Sequence, residues 1–389
     1  MRVLHLIDAA SPQATGTTLA MLAESVDQAD PFEQHVVVLG GPSLTRSAQI
    51  AGIHTAVSVG VPYGQAMLGW SSVRRHAQLH GPFDLIHCWS VGALFLAAVV
   101  FRTVPRILTL TVEPSPKTVR WLAALKREAR GRTVLLPITS TIQQGVLSGG
   151  VEGSDVHLLR PGIAMGKIDP GTREALRKGW GAPSDHTKVL ALLSDPTDAA
   201  DTVAAGMAMI MAQNGWRTKG MQLRLLVHPN QANRFRFQRT ARHMGRSTCV
   251  IQEPKLTHPW QVLPGCDLAL AMGSHAGGLS LMWAMAGNIP VIGQATYAIS
   301  EMVEDHHSAL LAPPDSSPGI ALGMTKLLTD PQLAWKLRDT ARHEAYSFFS
   351  VHRYRQSIHT VYEQVAQGRA NLEIPGVEAT GGLRFAERS

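Results

Sequence analysis

Cysteine is scarce: Cys88, Cys249 and Cys266 are the only three in 389 residues. They stand far apart, lie in or beside apolar runs and form no CxxC pair. Reduced, buried thiols are therefore expected, and a disulfide framework, a zinc site or a redox pair is not. Long apolar runs are missing too, since the longest, Ala93–Phe101, falls well short of the roughly 20 residues that span a bilayer. The N-terminal MRVLHLIDAA carries an acid at Asp8 and starts a strand at once, so no secretory leader is expected and the cytoplasm is the expected location. Aromatic residues make up only 6%, and neither an aromatic platform nor a zinc finger accompanies the basic stretches 120–132 and 234–246. A nucleic-acid partner is not expected, although the formal charge is +7. The first basic stretch instead suggests peripheral contact with an anionic membrane surface, Trp121, Leu122 and Leu125 facing lipid while Lys126, Arg127 and Arg130 meet head groups.

What is present is a soluble composition, 45% hydrophobic and 17% charged. Short Val/Ile/Leu runs alternate with longer helical patterns through both halves, which argues for an α/β fold with parallel sheets wrapped by helices. The length exceeds one ordinary core. Two domains are expected, 1–165 and 166–350, followed by a helix over 351–368 that crosses back to the first and a disordered tail over 369–389.

The most informative stretch runs from Cys266 to Glu301. An apolar strand (267–272) leads through Gly277-Gly278 into a helix bearing Leu279, Leu281, Met282, Ala284 and Met285, and a second strand (289–292) follows. Glycine lets a backbone approach a diphosphate, and the first helical N–H groups point outward with the positive end of the dipole. Within the first half, Gly16, Thr17 and Thr18 open a helix after the first strand, a place suited to an anion or a sugar hydroxyl. His87 and Trp89 stand at the carboxyl end of the strand 84–88, where parallel folds bind ligands; His87 either lines a site or caps the strand by hydrogen bonding. The strand 106–112 delivers Glu113 to the same edge. Ser140 and Thr141 are expected to cap the next helix, and Met207, Met209, Ile210 and Met211 to form a soft core face. The pair His306-His307 lacks carboxylates at ligand spacing, so no metal is expected.

The order of these pieces resembles glycosyltransferase family 4, the retaining nucleotide-sugar transferases of the GT-B fold. FDLIHCW looks like the family's PDxxHxH strand end, LTLTVE like its xTxH strand, and LLRPGIAM like its xxxNGxD turn. GGLSLMWAMAGNIPVIG is similar to FGLxxxEAMAxGxPVV, and AISEMVEDHHSALLAPPD to xxxExVxxxxxGxLxxxxD. The resemblance covers about residues 1–367. It implies two Rossmann-like domains facing a cleft, an acceptor held mainly by the first, and a donor held by the second. It also implies retaining sugar transfer from a nucleotide sugar to a glycan or other hydroxyl acceptor, with no cofactor or metal. On this resemblance His87 and His275 take the catalytic positions. Gly277, Gly278, Leu279, Ser280, Trp283 and Glu301 take the donor and phosphate positions, and Gly16, Thr17 and Glu113 the acceptor side.

The chain departs from the family where charge is needed. The family's Glu-x7-Glu pair is replaced by His275 and Trp283, and an indole N–H donates but accepts nothing from a ribose hydroxyl. The Arg and Lys that follow the first strand of the family's second domain have no counterpart in 192–200. Arg224, His228 and Lys255 are alternative cations. One preorganised group at a departing diphosphate is worth about 3 kcal/mol, so losing both cations and the clamp without replacement removes about four powers of ten in rate. A catalytically degenerate GT-B protein that binds a glycan or a partner in polysaccharide assembly is therefore the competing expectation, and an epimerase that cleaves a nucleotide sugar is a third.

Overall fold

Apolar runs buried on both faces mark the strands, since a strand that pairs on both edges and carries helices on both faces meets no water. In the computed structural model, which describes residues 1–8, 22, 32–40, 57–60, 65–128, 131–163, 170–182, 186–192, 199–212, 222–227, 250–252, 262–272, 277–369 and 371–374, the chain divides into two compact units. Unit 1 comprises Met1–Gly162 and Val351–Gly381, and unit 2 contains Ile163–Ser350.

Unit 1 is built on a parallel sheet of β1 (Arg2–Asp8), β2 (Glu33–Leu39), β3 (Val57–Val59), β4 (Leu85–Cys88), β5 (Arg106–Leu110) and β6 (Thr133–Pro137), in the order β3-β2-β1-β4-β5-β6. The described crossover helices are α1 (Trp70–His80), α2 (Val91–Val100), α3 (Pro116–Glu128) and α4 (Ser140–Ser148). The cap of α4 is Thr139, not Ser140 or Thr141: its backbone is still extended and its hydroxyl accepts from the Ile142 N–H at 3.3 Å. Ser140 is already the first helical residue.

Unit 2 opens with α5 (Pro170–Gly179). Its parallel sheet holds β7 (Thr187–Leu192), β8 (Gln222–Val227), β9 (Val250–Gln252), β10 (Leu268–Ala271), β11 (Val291–Gln294) and β12 (Leu310–Ala312), in the order β12-β11-β10-β7-β8-β9. Read from the other side, this is the strand order of unit 1 repeated. Its further helices are α6 (Ala199–Ala212), α7 (Gly277–Ala286), α8 (Tyr297–Ser300), α9 (Ser317–Thr329) and α10 (Pro331–Phe348). Val203, Met207 and Ile210 share one face of α6 and enter the core, whereas Met209, half a turn away, is 44% exposed. Met209 therefore does not belong to the core face. The segment that enters unit 2 and the one that leaves it pair, the Ile163 N–H donating to the Phe349 carbonyl at 2.9 Å.

The last helix, α11 (Val351–Ala366), belongs to unit 1. Tyr354, Ile358, Val361, Tyr362 and Val365 recur at helical spacing and pack on Val3, Leu85, Ile107 and Val134. Residues 372–374, beyond the expected boundary at 368, contact this core. The Gln364 carboxamide bonds both the N–H and the C=O of Glu373, and Leu372 and Ile374 pack on the same core. The rest of the expected tail, 375–389, lies outside the described residues.

Candidate functional site

At the carboxyl edge of the unit 2 sheet, β10 ends at Ala271 and α7 begins at Gly277. The backbone of Gly277, Gly278, Leu279 and Ser280 forms the first turn of that helix, whose N–H groups have no acceptor within it. No acidic residue stands in this turn to neutralise the positive end of the dipole. His275 lies outside the described residues. One strand along the same edge, β11 leads through Thr296 into α8, and Glu301, half-buried, is the C-cap of α8. The Thr296 hydroxyl is a buried oxygen without a hydrogen-bond partner. It is a polar group on the carboxyl edge that the sequence motifs leave out.

Trp283 sits in α7 and is only 4% exposed. Its bulk belongs to the packed interior of the helix, which explains how a residue unlike the family's carboxylate is accommodated there. Arg224 is the third residue of β8, and its Nη1 donates to the Trp180 carbonyl at 2.7 Å, so the fold uses it to hold the end of α5. His228 and Lys255 lie outside the described residues, as do Gly16 and Thr17.

The carboxyl edge of unit 1 is occupied differently. His87 is fully buried, with Nδ1 2.6 Å from the Tyr362 hydroxyl and Nε2 2.8 Å from the Thr109 hydroxyl. Its ring stacks on Trp89 at 4.3 Å between centroids. Directly across the sheet, His5 accepts the Trp89 indole N–H on Nδ1 at 3.1 Å, which puts its own proton on Nε2, donated to Gln34 Oε1 at 2.8 Å. Burial pushes the His5 pKa down to about 4 against the opposing effect of the Gln34 bond. Burial, reinforced by the nearby His5, drives His87 well below the ordinary histidine value. Both rings are neutral. His87 has no nitrogen left for an acceptor proton, so of its two expected roles the structure assigns the hydrogen-bonded one, joining β4 to β5 and α11. Trp89 likewise points inward.

Asp8, at the carboxyl end of β1, is a further polar group on that edge. It is buried, its carboxyl is held above the ordinary aspartate range by desolvation against a hydrogen bond from Ser90, and its Oδ1 has no partner. A Cβ on Gly92 would collide with Asp8 Oδ2, so a larger residue there would displace that carboxylate. The rule that pointed to His87, position at a strand's carboxyl end, points equally to Asp8. Glu113 is exposed and lies beside α4, where a Cβ on Gly145 would stand 3.5 Å from its Oε1.

The basic amphipathic stretch also divides. Leu122 is buried in the unit 1 core and does not face outward, because α3 packs by that residue, Val119 and Ala123. Trp121 is half-buried and stacks flat on the exposed Phe95 of α2, with centroids 3.9 Å apart. Among the described residues no helix is long and apolar enough to cross a membrane.

Residues 209–344 match the family model described as Glycosyl transferases group 1. The matched region contains the β10–α7 loop, Trp283 and Glu301. No match was found among curated proteins. Among solved structures, Anabaena HepE in complex with UDP-glucose is similar over 94% of this chain and 100% of its own, at 16% identity and a TM-score of 0.76. Sucrose-phosphate synthase from Thermosynechococcus elongatus covers 95% of this chain and 100% of its own, at 13% identity and a TM-score of 0.71. A UDP-N-acetylglucosamine 2-epimerase follows at 12% identity, 93% and 97% coverage and a TM-score of 0.60. The chain has the two-domain, Rossmann-like GT-B fold, and within it residues 209–344 carry the sequence pattern of the glycosyl transferases group 1.

Proposed function

We propose that the chain binds a nucleotide sugar and transfers its sugar, with retention, to a hydroxyl acceptor. The carrying observation is the first turn of α7: glycine-led, free of acidic residues, at the carboxyl edge of a parallel sheet and inside the region that matches the glycosyl transferases group 1. The donor diphosphate rests on the amides of Gly277 to Ser280. Glu301, with the Thr296 hydroxyl before the same helix, bonds donor hydroxyls, and His275 keeps the catalytic role that the resemblance implies for it. Asp8 takes the acceptor-side contact, together with Gly16, Thr17 and Glu113. The solved HepE complex with UDP-glucose supports a nucleotide sugar as the ligand class for this fold.

A second reading has its own observation. Trp283 is buried where a carboxylate would clamp the ribose, and α7 carries no charged residue. This favours binding without turnover, as in a partner protein of an active transferase. Incubating the full chain with a panel of nucleotide sugars and acceptors, while following nucleoside diphosphate release and the anomeric configuration of the product, separates the two. Release with retained configuration supports transfer. Binding by calorimetry without release supports the second reading, and the absence of both release and binding for every nucleotide tested overturns both.

Peripheral membrane contact, where it occurs, is assigned to the face bearing Phe95, Val99 and Trp121 beside Lys117 and Arg120, and flotation with anionic vesicles tests it.

A further inference from the structure

The amino edge of the unit 2 sheet holds a cavity of about 970 Å³. It is bounded by residues that precede or begin strands (Lys188 in β7, Asp267 before β10, Pro290 before β11), so it lies across the sheet from the start of α7. One wall is a stripe of α10, where Pro331, Ala334, Trp335, Arg338 and Arg342 recur at helical spacing. The floor is apolar, with Ile289, Pro290, Leu327 and Leu328. The turn from α7 into β11 completes it, Asn288 taking a left-handed backbone with φ of 56°.

Charge in this cavity is one-sided. Arg173, Lys188, Arg338 and Arg342 face it against the single carboxylate of Asp267. That carboxylate is already committed, to Arg173 at 2.6 Å, to Arg177 at 2.8 Å and to the Val189 N–H at 2.8 Å. Lys188 makes no side-chain hydrogen bond or ion pair among the described residues. Arg338 makes none either, and its Nε is a buried donor with no acceptor. Arg342 is oriented by Tyr346, with its guanidinium carbon 5.4 Å from the ring centroid and Nη2 3.4 Å from the hydroxyl. Trp335, on the same stripe, is 58% exposed. A buried donor needs an acceptor, guanidinium groups favour phosphate, and an exposed indole offers a flat apolar surface.

We propose that this cavity is a second ligand site that binds an organic phosphate, with the phosphate on Lys188, Arg338 and Arg342 and an aromatic body on Trp335. The site does not depend on sugar transfer at the opposite edge of the sheet.

AMP is a suitable probe, titrated calorimetrically into the full chain beside adenosine and inorganic phosphate. AMP is expected to bind at least about tenfold more tightly than either of its parts. The R338Q/R342Q variant is expected to weaken AMP by about tenfold, and Trp335→Ala by about threefold. Gly278→Glu, at the other edge, is expected to leave AMP affinity unchanged. A thermal melt establishes that each variant is folded; should R338Q/R342Q fail it, Arg342→Gln alone, at an exposed position, carries the same direction at about threefold. The proposal is overturned by no AMP binding, by AMP binding equally to wild type and the folded pocket variants, by adenosine or phosphate matching AMP, or by loss of AMP binding in Gly278→Glu.

Discussion

The two sheets share one strand order, yet they treat their polar residues in opposite ways. In unit 1 the polar groups stand inside the sheet: His5, His87, Thr109 and the fully buried Arg106, whose guanidinium donates to Thr133 and to the carbonyls of Phe101 and Gly131. In unit 2 the interior faces of β10 and β12 are apolar, and the charges gather at the amino edge around Asp267. The difference teaches that a histidine at a strand end is a site signal only while its ring nitrogens are free. In unit 1 the two sheet histidines are structural, whereas in unit 2 the backbone at one edge and the cations at the other remain open to ligands.

That contrast can be broken at its charged end first. Asp267→Ala leaves Arg173 and Arg177 without their carboxylate and is expected to cost about 3–5 kcal/mol in chemical denaturation; a loss below 1 kcal/mol would show that the amino edge is not held by charge. The buried histidines come next. His5 has a folded pKa of about 4 against an ordinary 6.5, so the unfolded chain takes up the proton first as pH falls. Stability from its neutral burial is complete above pH 6.5 and declines towards pH 4, by about 3 kcal/mol in all. His5→Gln should flatten this part of the pH profile, and an unchanged slope would place the acid sensitivity elsewhere. Gly278→Glu sets a carboxylate where the donor diphosphate is proposed to rest; UDP affinity is expected to fall about tenfold while the melting temperature holds or rises, because an acid suits a helix start. Smallest is Tyr362→Phe, which removes one partner of His87 and should cost about 1 kcal/mol, with no change in UDP binding.

Much of the architecture was legible in sequence because buried parallel strands are continuous apolar runs, and their ends are punctuated by Gly, Pro, Ser and Asp. Gly277-Gly278 announced α7. The site was legible only where backbone carries it. His87 was ambiguous, since a ring at a strand's carboxyl end looks the same whether it faces a ligand or Tyr362, 275 residues away. Leu122 and Met209 depart from expectation for a related reason: which face of a helix is buried depends on the sheet beneath it. The ion-paired base of β10 and the cavity on α10 were invisible, because their members come from five separate segments whose meeting is a property of the topology.

Unit 1 is assembled from both ends of the chain, and unit 2 lies between, its first and last residues already joined through Ile163 and Phe349. A ribosome therefore delivers all of unit 2 before the residues that finish unit 1. Until Val351–Ala366 emerges, the face formed by Val3, Leu85, Ile107 and Val134 has no cover, and the His87 ring lacks the tyrosine that bonds it. The middle of the chain can fold as a unit during synthesis, while its beginning waits for the end.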